Sequence, residues 1–151
     1  MRQQQIENEI HIAREPAAVF AYVTVPSRWH EWHPASERAS EQDRPLIQGD
    51  TFTESASLRP LYPLPIVLRC QLKYKVTACS PPYLWEVLGE SDAIEVRIRY
   101  ELAEGRETHF RRRLTYRVKG WLRILEPILV RPKMRRQSAQ ALQNLKHQLE
   151  G

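Results

Sequence analysis

An α+β fold, with one antiparallel sheet and its helices segregated to one side, follows from three features of the sequence. Several segments alternate apolar and polar residues with period two, as half-buried strands do. The C-terminal stretch switches to helical spacing. The element order is strand, two short helices, several strands, long helix, so a sheet with one dry face can bury it by curling around the final helix.

The first strand spans Ile6 to Ala13, with Ile6, Ile10 and Ile12 on one face and Glu7, Glu9 and His11 on the other. Only Asn8 interrupts the apolar side. Pro16 suits the first turn of a helix whose buried stripe is Ala17, Val19, Phe20 and Val23, and Pro26 ends it. A second short helix is expected from Ser27, its N-cap, to Pro34. A polar stretch follows, and after Gly49 the segment DTFTESASL sets Phe52, Ala56 and Leu58 against Thr51, Thr53, Ser55 and Ser57. RPLYPLPI has Pro60, Pro63 and Pro65 and cannot join a central sheet, so residues 59–66 read as a stiff apolar loop.

The pattern from Val67 to Ala78 is sharp: Leu68, Cys70, Leu72, Tyr74 and Val76 oppose Arg69, Gln71, Lys73, Lys75 and Thr77. Pro81-Pro82 turns the chain into the strand YLWEVLG, in which the side taken by Glu86 is left open because both parities contain large apolar residues. Another strand, from about Ala93 to Leu102, sets Ile94, Val96, Ile98, Tyr100 and Leu102 against Glu95, Arg97, Arg99 and Glu101. A turn at Gly105 feeds the last strand, from about Glu107 to Lys119, where Thr108, Phe110, Leu114, Tyr116 and Val118 share a side with Arg112. Met134, Ser138, Ala141, Leu142, Leu145 and Leu149 then recur at helical spacing. The segment GWLRILEPILVRP leads into that helix and is also apolar, but Pro127 and Pro132 predict a break or kink.

The chain has 151 residues, enough for one domain over 1–151 with a substantial core. Hydrophobic residues at 42% and charged residues at 27% match ordinary globular usage and exclude disorder and repeat architectures. The opening MRQQQ lacks a signal peptide's apolar core, and no apolar run is long enough to span a bilayer; a cytoplasmic protein is expected. Cys70 and Cys79 on one strand stand ~30 Å apart at about 3.3 Å per residue, beyond disulfide reach, and read as free thiols. The net charge of +5 brings anionic partners into consideration.

Two pieces of this chain, IENEIHIAREPAAVFAYVTVPSRWHEWHP at the front and MRRQSAQALQNLKHQLEG at the back, resemble the START-related SRPBCC superfamily of polyketide cyclase/dehydratase-like and lipid-transfer proteins. The resemblance implies a helix-grip fold: a bent seven-stranded antiparallel sheet around a long C-terminal helix, with two short helices after the first strand. It also implies a mostly apolar cavity for a hydrophobic small molecule. It puts Trp32 and Pro34 at family positions, and the 59–66 segment has no counterpart in the family pattern.

Candidate site residues follow. His30 and His33 in WHEWHP share a helical face, but a zinc site wants three or four ligands and no His-Glu-x-x-His or Cys-x-x-Cys accompanies them; no metal or cofactor is expected. Trp32 and His33 are placed at the cavity rim, with the tryptophans serving packing first. Glu54 and Arg112 fall on the dry parity of their strands, where a charge is rarely accidental. Either they pair with each other or snorkel to the cavity mouth, or they face a ligand. In the second case Arg112 would grip a carboxylate or phenolate, with Glu54 as base or counter-ion. Tyr74, Tyr100 and Tyr116, with Phe110, complete the ligand-facing candidates, the tyrosines equally readable as core residues with satisfied hydroxyls. No nucleophile–base–orienter set is identifiable, so catalytic residues are not assigned.

The leading expectation is therefore a binder of a hydrophobic or amphipathic small molecule: a lipid, quinone or aromatic, polyketide-like metabolite. One alternative is a cyclase or dehydratase using acid–base groups in the same cavity. The other is a module docking on a membrane or protein through a basic face and the 59–66 loop. Arg111, Arg112, Arg113, Arg117, Lys119, Arg123, Arg131, Lys133, Arg135 and Arg136 form the basic region, which strand parity divides between faces. Without an aromatic RNA-binding signature, nucleic acid is not an expected partner, whereas an anionic membrane surface is retained.

Overall fold

A computed structural model describes residues 3–40, 42–58 and 68–151; the proline-rich 59–66 segment lies outside the described residues. Strand β1 (Gln4–Ile12) leads to helix α1 (Pro16–Val23), a 3-10 turn (Pro26–Glu31) and β2 (Ser36–Ala39). Then come β3 (Thr51–Leu58), β4 (Leu68–Ser80), β5 (Leu84–Glu90), β6 (Ile94–Ala103) and β7 (Thr108–Val118). Helix α2 (Leu122–Leu125), a π turn (Glu126–Val130) and α3 (Arg131–Glu150) form one C-terminal helical run of 29 residues.

The seven strands form one antiparallel sheet in the order β1-β7-β6-β5-β4-β3-β2, curled into a half-barrel. Its curl follows from the sequence: one parity of each long strand is apolar, and a dry face that wide is covered only by folding around the amphipathic face of α3. Ala141, Leu142, Leu145 and Leu149 bury that helical stripe, and Val96, Ile98, Leu114 and Val118 supply part of the opposing wall. The last turns of α3 are tied to the front of the chain. Ala13 N–H donates to Glu150 Oε2 at 2.8 Å, Arg14 Nη1 to the Leu149 carbonyl at 3.0 Å, and Asn144 Nδ2 to the Trp32 carbonyl at 3.1 Å.

Three details depart from the expectation drawn from residue patterns. WHEWHP is not a capped α-helix: a 3-10 turn ends at Glu31, Val25 takes the cap position, and Ser27 Oγ instead donates to Asp43. Pro26, expected only to stop α1, also starts that turn, where its missing N–H costs nothing. Within the polar stretch, Ser36–Ala39 forms β2, a short edge strand with a bulge between Ser36 and Arg38 that blurs its alternation. The proline-laden entry to the long helix is accommodated by the π turn, where Arg131 N–H donates to the Glu126 carbonyl five residues back. Among the described residues no helix is long and apolar enough to cross a membrane.

Gly89 of β5 is directly opposite Tyr74 of β4. The Tyr74 ring lies flat over it, so a Cβ added there would fall only 2.6 Å from Tyr74 Cδ1 and nearer still to Cε1. Gly89→Ala is expected to destabilise the protein by about 1–3 kcal/mol through this overpacking. Urea unfolding measures it, and in a Tyr74→Ala background the penalty should largely vanish.

Candidate functional site

Between the concave face of the sheet and the C-terminal helix lies a cavity of about 380 Å³, within the range of small-molecule sites. Its walls are mainly apolar, from Leu72, Val96, Ile98, Leu114, Val130 and Met134 among others. Exposed lining residues Arg69, Asp92, Gly120 and Trp121 mark its rim.

Both charged candidates face this space. The registers of β3 against β4 and of β6 against β7 run without a bulge, so Glu54 stays on the side of Phe52 and Arg112 on the side of Phe110. Glu54 is 7% exposed and Arg112 4% exposed, and both line the cavity. They do not form a direct ion pair. Tyr74 Oη donates to Glu54 Oε1 at 3.1 Å, and Arg112 Nη1 donates across to Ser138 Oγ of α3 at 3.2 Å. Arg112 Nε is buried and has no hydrogen-bond partner among the described residues. Opposite Arg112 across the ladder stand Tyr100 on β6 and Asn8 on β1, so the one polar interruption of the first strand belongs to this polar row.

Electrostatics sort these groups. Burial raises the Glu54 carboxyl pKa, while Ser36, Tyr74 and Arg112 pull the other way without cancelling it. Ser36 Oγ favours the carboxylate by proximity, without forming a well-aligned hydrogen bond. Burial and then the Arg112 charge hold His33 well below its ordinary range, so its imidazole is neutral at pH 7. His33 is half-buried and lines the cavity. Its Nδ1 accepts from Ala35 N–H at 3.1 Å, which places the proton on Nε2. Burial pushes Tyr100 up to about 12 and Tyr74 well above the usual phenol range, so both hydroxyls remain donors.

The WHEWHP motif divides accordingly. His30 is exposed, Glu31 accepts a 2.7 Å hydrogen bond from Tyr22 Oη, and His33 turns into the cavity with Trp32. Trp29 Nε1 donates to the Val23 carbonyl at 2.9 Å, whereas Trp32 Nε1 is buried and has no partner among the described residues. Of the residues proposed from sequence, Trp32, His33, Glu54, Tyr74, Tyr100 and Arg112 are gathered around one space. Phe110 and Tyr116 are not among its lining: Phe110 packs on Tyr100 with ring centroids 5.2 Å apart, and Tyr116 Oη donates to the buried Glu126 at 3.0 Å. Glu86, left open by the pattern, is half-buried outside the cavity lining and pairs with Arg99 at 2.9 Å. Ser138 and Trp29 line the cavity without having been singled out; Ser138 was the one hydroxyl in the apolar stripe of the last helix, the signal that pointed to it.

A family profile described as polyketide cyclase/dehydrase and lipid transport matches residues 3–150, in agreement with the resemblance drawn from the two ends of the chain. No curated protein matches the sequence significantly. Among solved structures, the Zhui aromatase/cyclase from Streptomyces sp. R1128 superposes with a TM-score of 0.73 at 8% identity, covering 99% of this chain and 94% of that one. The protein TTHA0849 from Thermus thermophilus gives 0.69 at 14% identity over 97% of both chains. The di-domain ARO/CYC BexL from the BE-7585A biosynthetic pathway gives 0.70 at 13% identity, covering 99% of this chain and 50% of its own. At such identities the likeness is one of fold: the helix-grip arrangement is shared.

Because the native pKa of Glu54 lies above the ordinary 4.5, the folded state holds a proton that the unfolded chain releases first, and stability falls as pH rises through that window. Glu54→Gln removes this term. Urea unfolding across pH should show the variant level with the parent below the ordinary carboxylate range and gaining on it above; a constant difference would mean that Glu54 titrates normally.

Proposed function

The chain belongs to the polyketide cyclase/dehydrase and lipid transport family, and we propose that, as a single domain, it binds an apolar or aromatic small molecule carrying an acceptor oxygen between sheet and C-terminal helix. The observation that carries this reading is the cavity of about 380 Å³, apolar in most of its walls, with one buried guanidinium in its lining, Arg112, that forms no ion pair among the described residues. A buried charge without an opposite partner is costly, and a guest oxygen would supply that partner while apolar burial supplies affinity. A carboxylate, phenolate or quinone oxygen suits the guanidinium best, because Glu54, the buried acid lining the same cavity, forms no ion pair with it and has its ionised form disfavoured by burial.

A second reading is cyclisation or dehydration of a polyketide-like substrate. One observation favours it: a carboxyl group raised and an imidazole lowered in the same cavity are the two halves of acid–base chemistry near neutral pH. Under that reading turnover is lost in Glu54→Gln with folding intact; turnover unchanged in that variant removes Glu54 from the chemistry.

The binding reading is tested with matched guests. A naphthoic acid should lose about ten- to a hundredfold in affinity on Arg112→Met, as removal of a charged hydrogen bond predicts, while naphthalene should be little affected. Thermal melts establish that the variant is folded. Solvent extraction, native mass spectrometry and a lipid and metabolite panel all returning nothing would reject the reading.

A further inference from the structure

The net charge of this chain is concentrated. Residues 119–136 contain six Lys or Arg and a single acid, Glu126, which leaves seventeen of each sign elsewhere, so this one stretch accounts for the whole +5. On the outer face of β7 the arginines are answered: Arg111 meets Glu7 and Glu9, Arg113 meets Glu7, and Arg117 meets Glu95 at 2.6 Å. Lys119 is paired with Glu90, and Arg131 with Glu126. Arg123, Arg135 and Arg136 are exposed and form no ion pair among the described residues.

The same stretch turns large apolar side chains outward. Trp121 is 67% exposed, Ile124 73% and Ile128 75%, and their spacing of three and four puts them along one side of the helical run. Leu122, Val130 and Met134 point the other way and line the cavity. Trp121 touches the cavity too, which places this ridge at its rim.

A ridge of Trp and Ile flanked by unpaired arginines matches few surfaces. A second copy would bring two patches of the same sign together. A polynucleotide offers phosphates to the arginines but no apolar surface for Ile124 and Ile128. An anionic bilayer offers both, with headgroups for the guanidinium groups, the acyl boundary for the isoleucines and the interfacial layer for an indole. We infer that the Trp121–Ile124–Ile128 ridge, with Arg123, Arg135 and Arg136, docks the cavity rim on an anionic phospholipid bilayer. This goes beyond the ligand reading and is tested without any ligand.

The test uses the full chain with phosphatidylcholine vesicles, with and without phosphatidylglycerol, at low and high salt. The protein should sediment with the anionic vesicles at low salt and be released by high salt. Trp29, Trp32 and Trp85 are buried, so a blue shift of tryptophan emission on vesicles reports Trp121 alone, and Trp121→Phe should abolish the shift while retaining binding. Ile124→Ser/Ile128→Ser should weaken binding, and Arg123→Gln/Arg135→Gln/Arg136→Gln should reduce partitioning by roughly a hundredfold, with melting temperatures unchanged because every altered side chain is exposed. Absence of binding to anionic vesicles, binding insensitive to both variant sets, or a shift that survives Trp121→Phe overturns the inference. So does self-association abolished by Ile124→Ser/Ile128→Ser, which would assign the ridge to a second copy.

Discussion

The arrangement rests on uninterrupted period-two alternation in the strands that form the concave wall. One inserted residue in β3 or β7 would carry every later side chain to the opposite face. Glu54 or Arg112 would then stand in solvent, and their apolar neighbours with them. The sheet does contain bulges, between Ser36 and Arg38 of β2 and between Val76 and Ala78 of β4, but neither interrupts the stretches that hold these two residues. Inward placement of a carboxyl and a guanidinium group is therefore a property of register, upheld by every ladder hydrogen bond along those strands.

That placement has an electrostatic result. A charge removed from water needs either a partner or a change of protonation. Glu54 moves toward the second, with Tyr74 donating to it. Arg112 donates to Ser138, a neutral acceptor reached across the cavity, and lies beside the Tyr100 hydroxyl, and its field in turn helps keep His33 uncharged. The interior is thus largely apolar, aromatic and inclined toward positive potential at one spot, in a family described by cyclase, dehydrase and lipid-transport members.

Much of this was legible in the sequence because it obeys simple periodicities. Six strands, α1 and the long helix follow from spacing two or three-to-four, and Glu54 and Arg112 drew notice by breaking a dry parity. What escaped depends on distance in space. Ser36–Ala39 has too few residues to show a period, and only its neighbour β3 makes it a strand. Tyr116 shares the parity of Arg112, yet Glu126, ten residues later at the start of the π turn, takes its hydroxyl. Trp121, Ile124 and Ile128 read as part of an apolar run, and nothing in their spacing distinguishes an outward from an inward stripe. Asn8 was visible as an interruption, but its place opposite Arg112 belongs to pairing between the first strand and the last.

The tethers on the final helix are unevenly distributed. Glu150, Leu149, Gln148, Lys146 and Asn144 are all hydrogen-bonded to the front of the chain, so the last two turns are held fast. Nearer its start the helical run is fastened to the sheet by two side-chain bonds from β7, Tyr116 to Glu126 and Arg112 to Ser138, and the second of these spans the cavity itself, so severing it would free the helix from the sheet at the cavity while its far end stayed anchored.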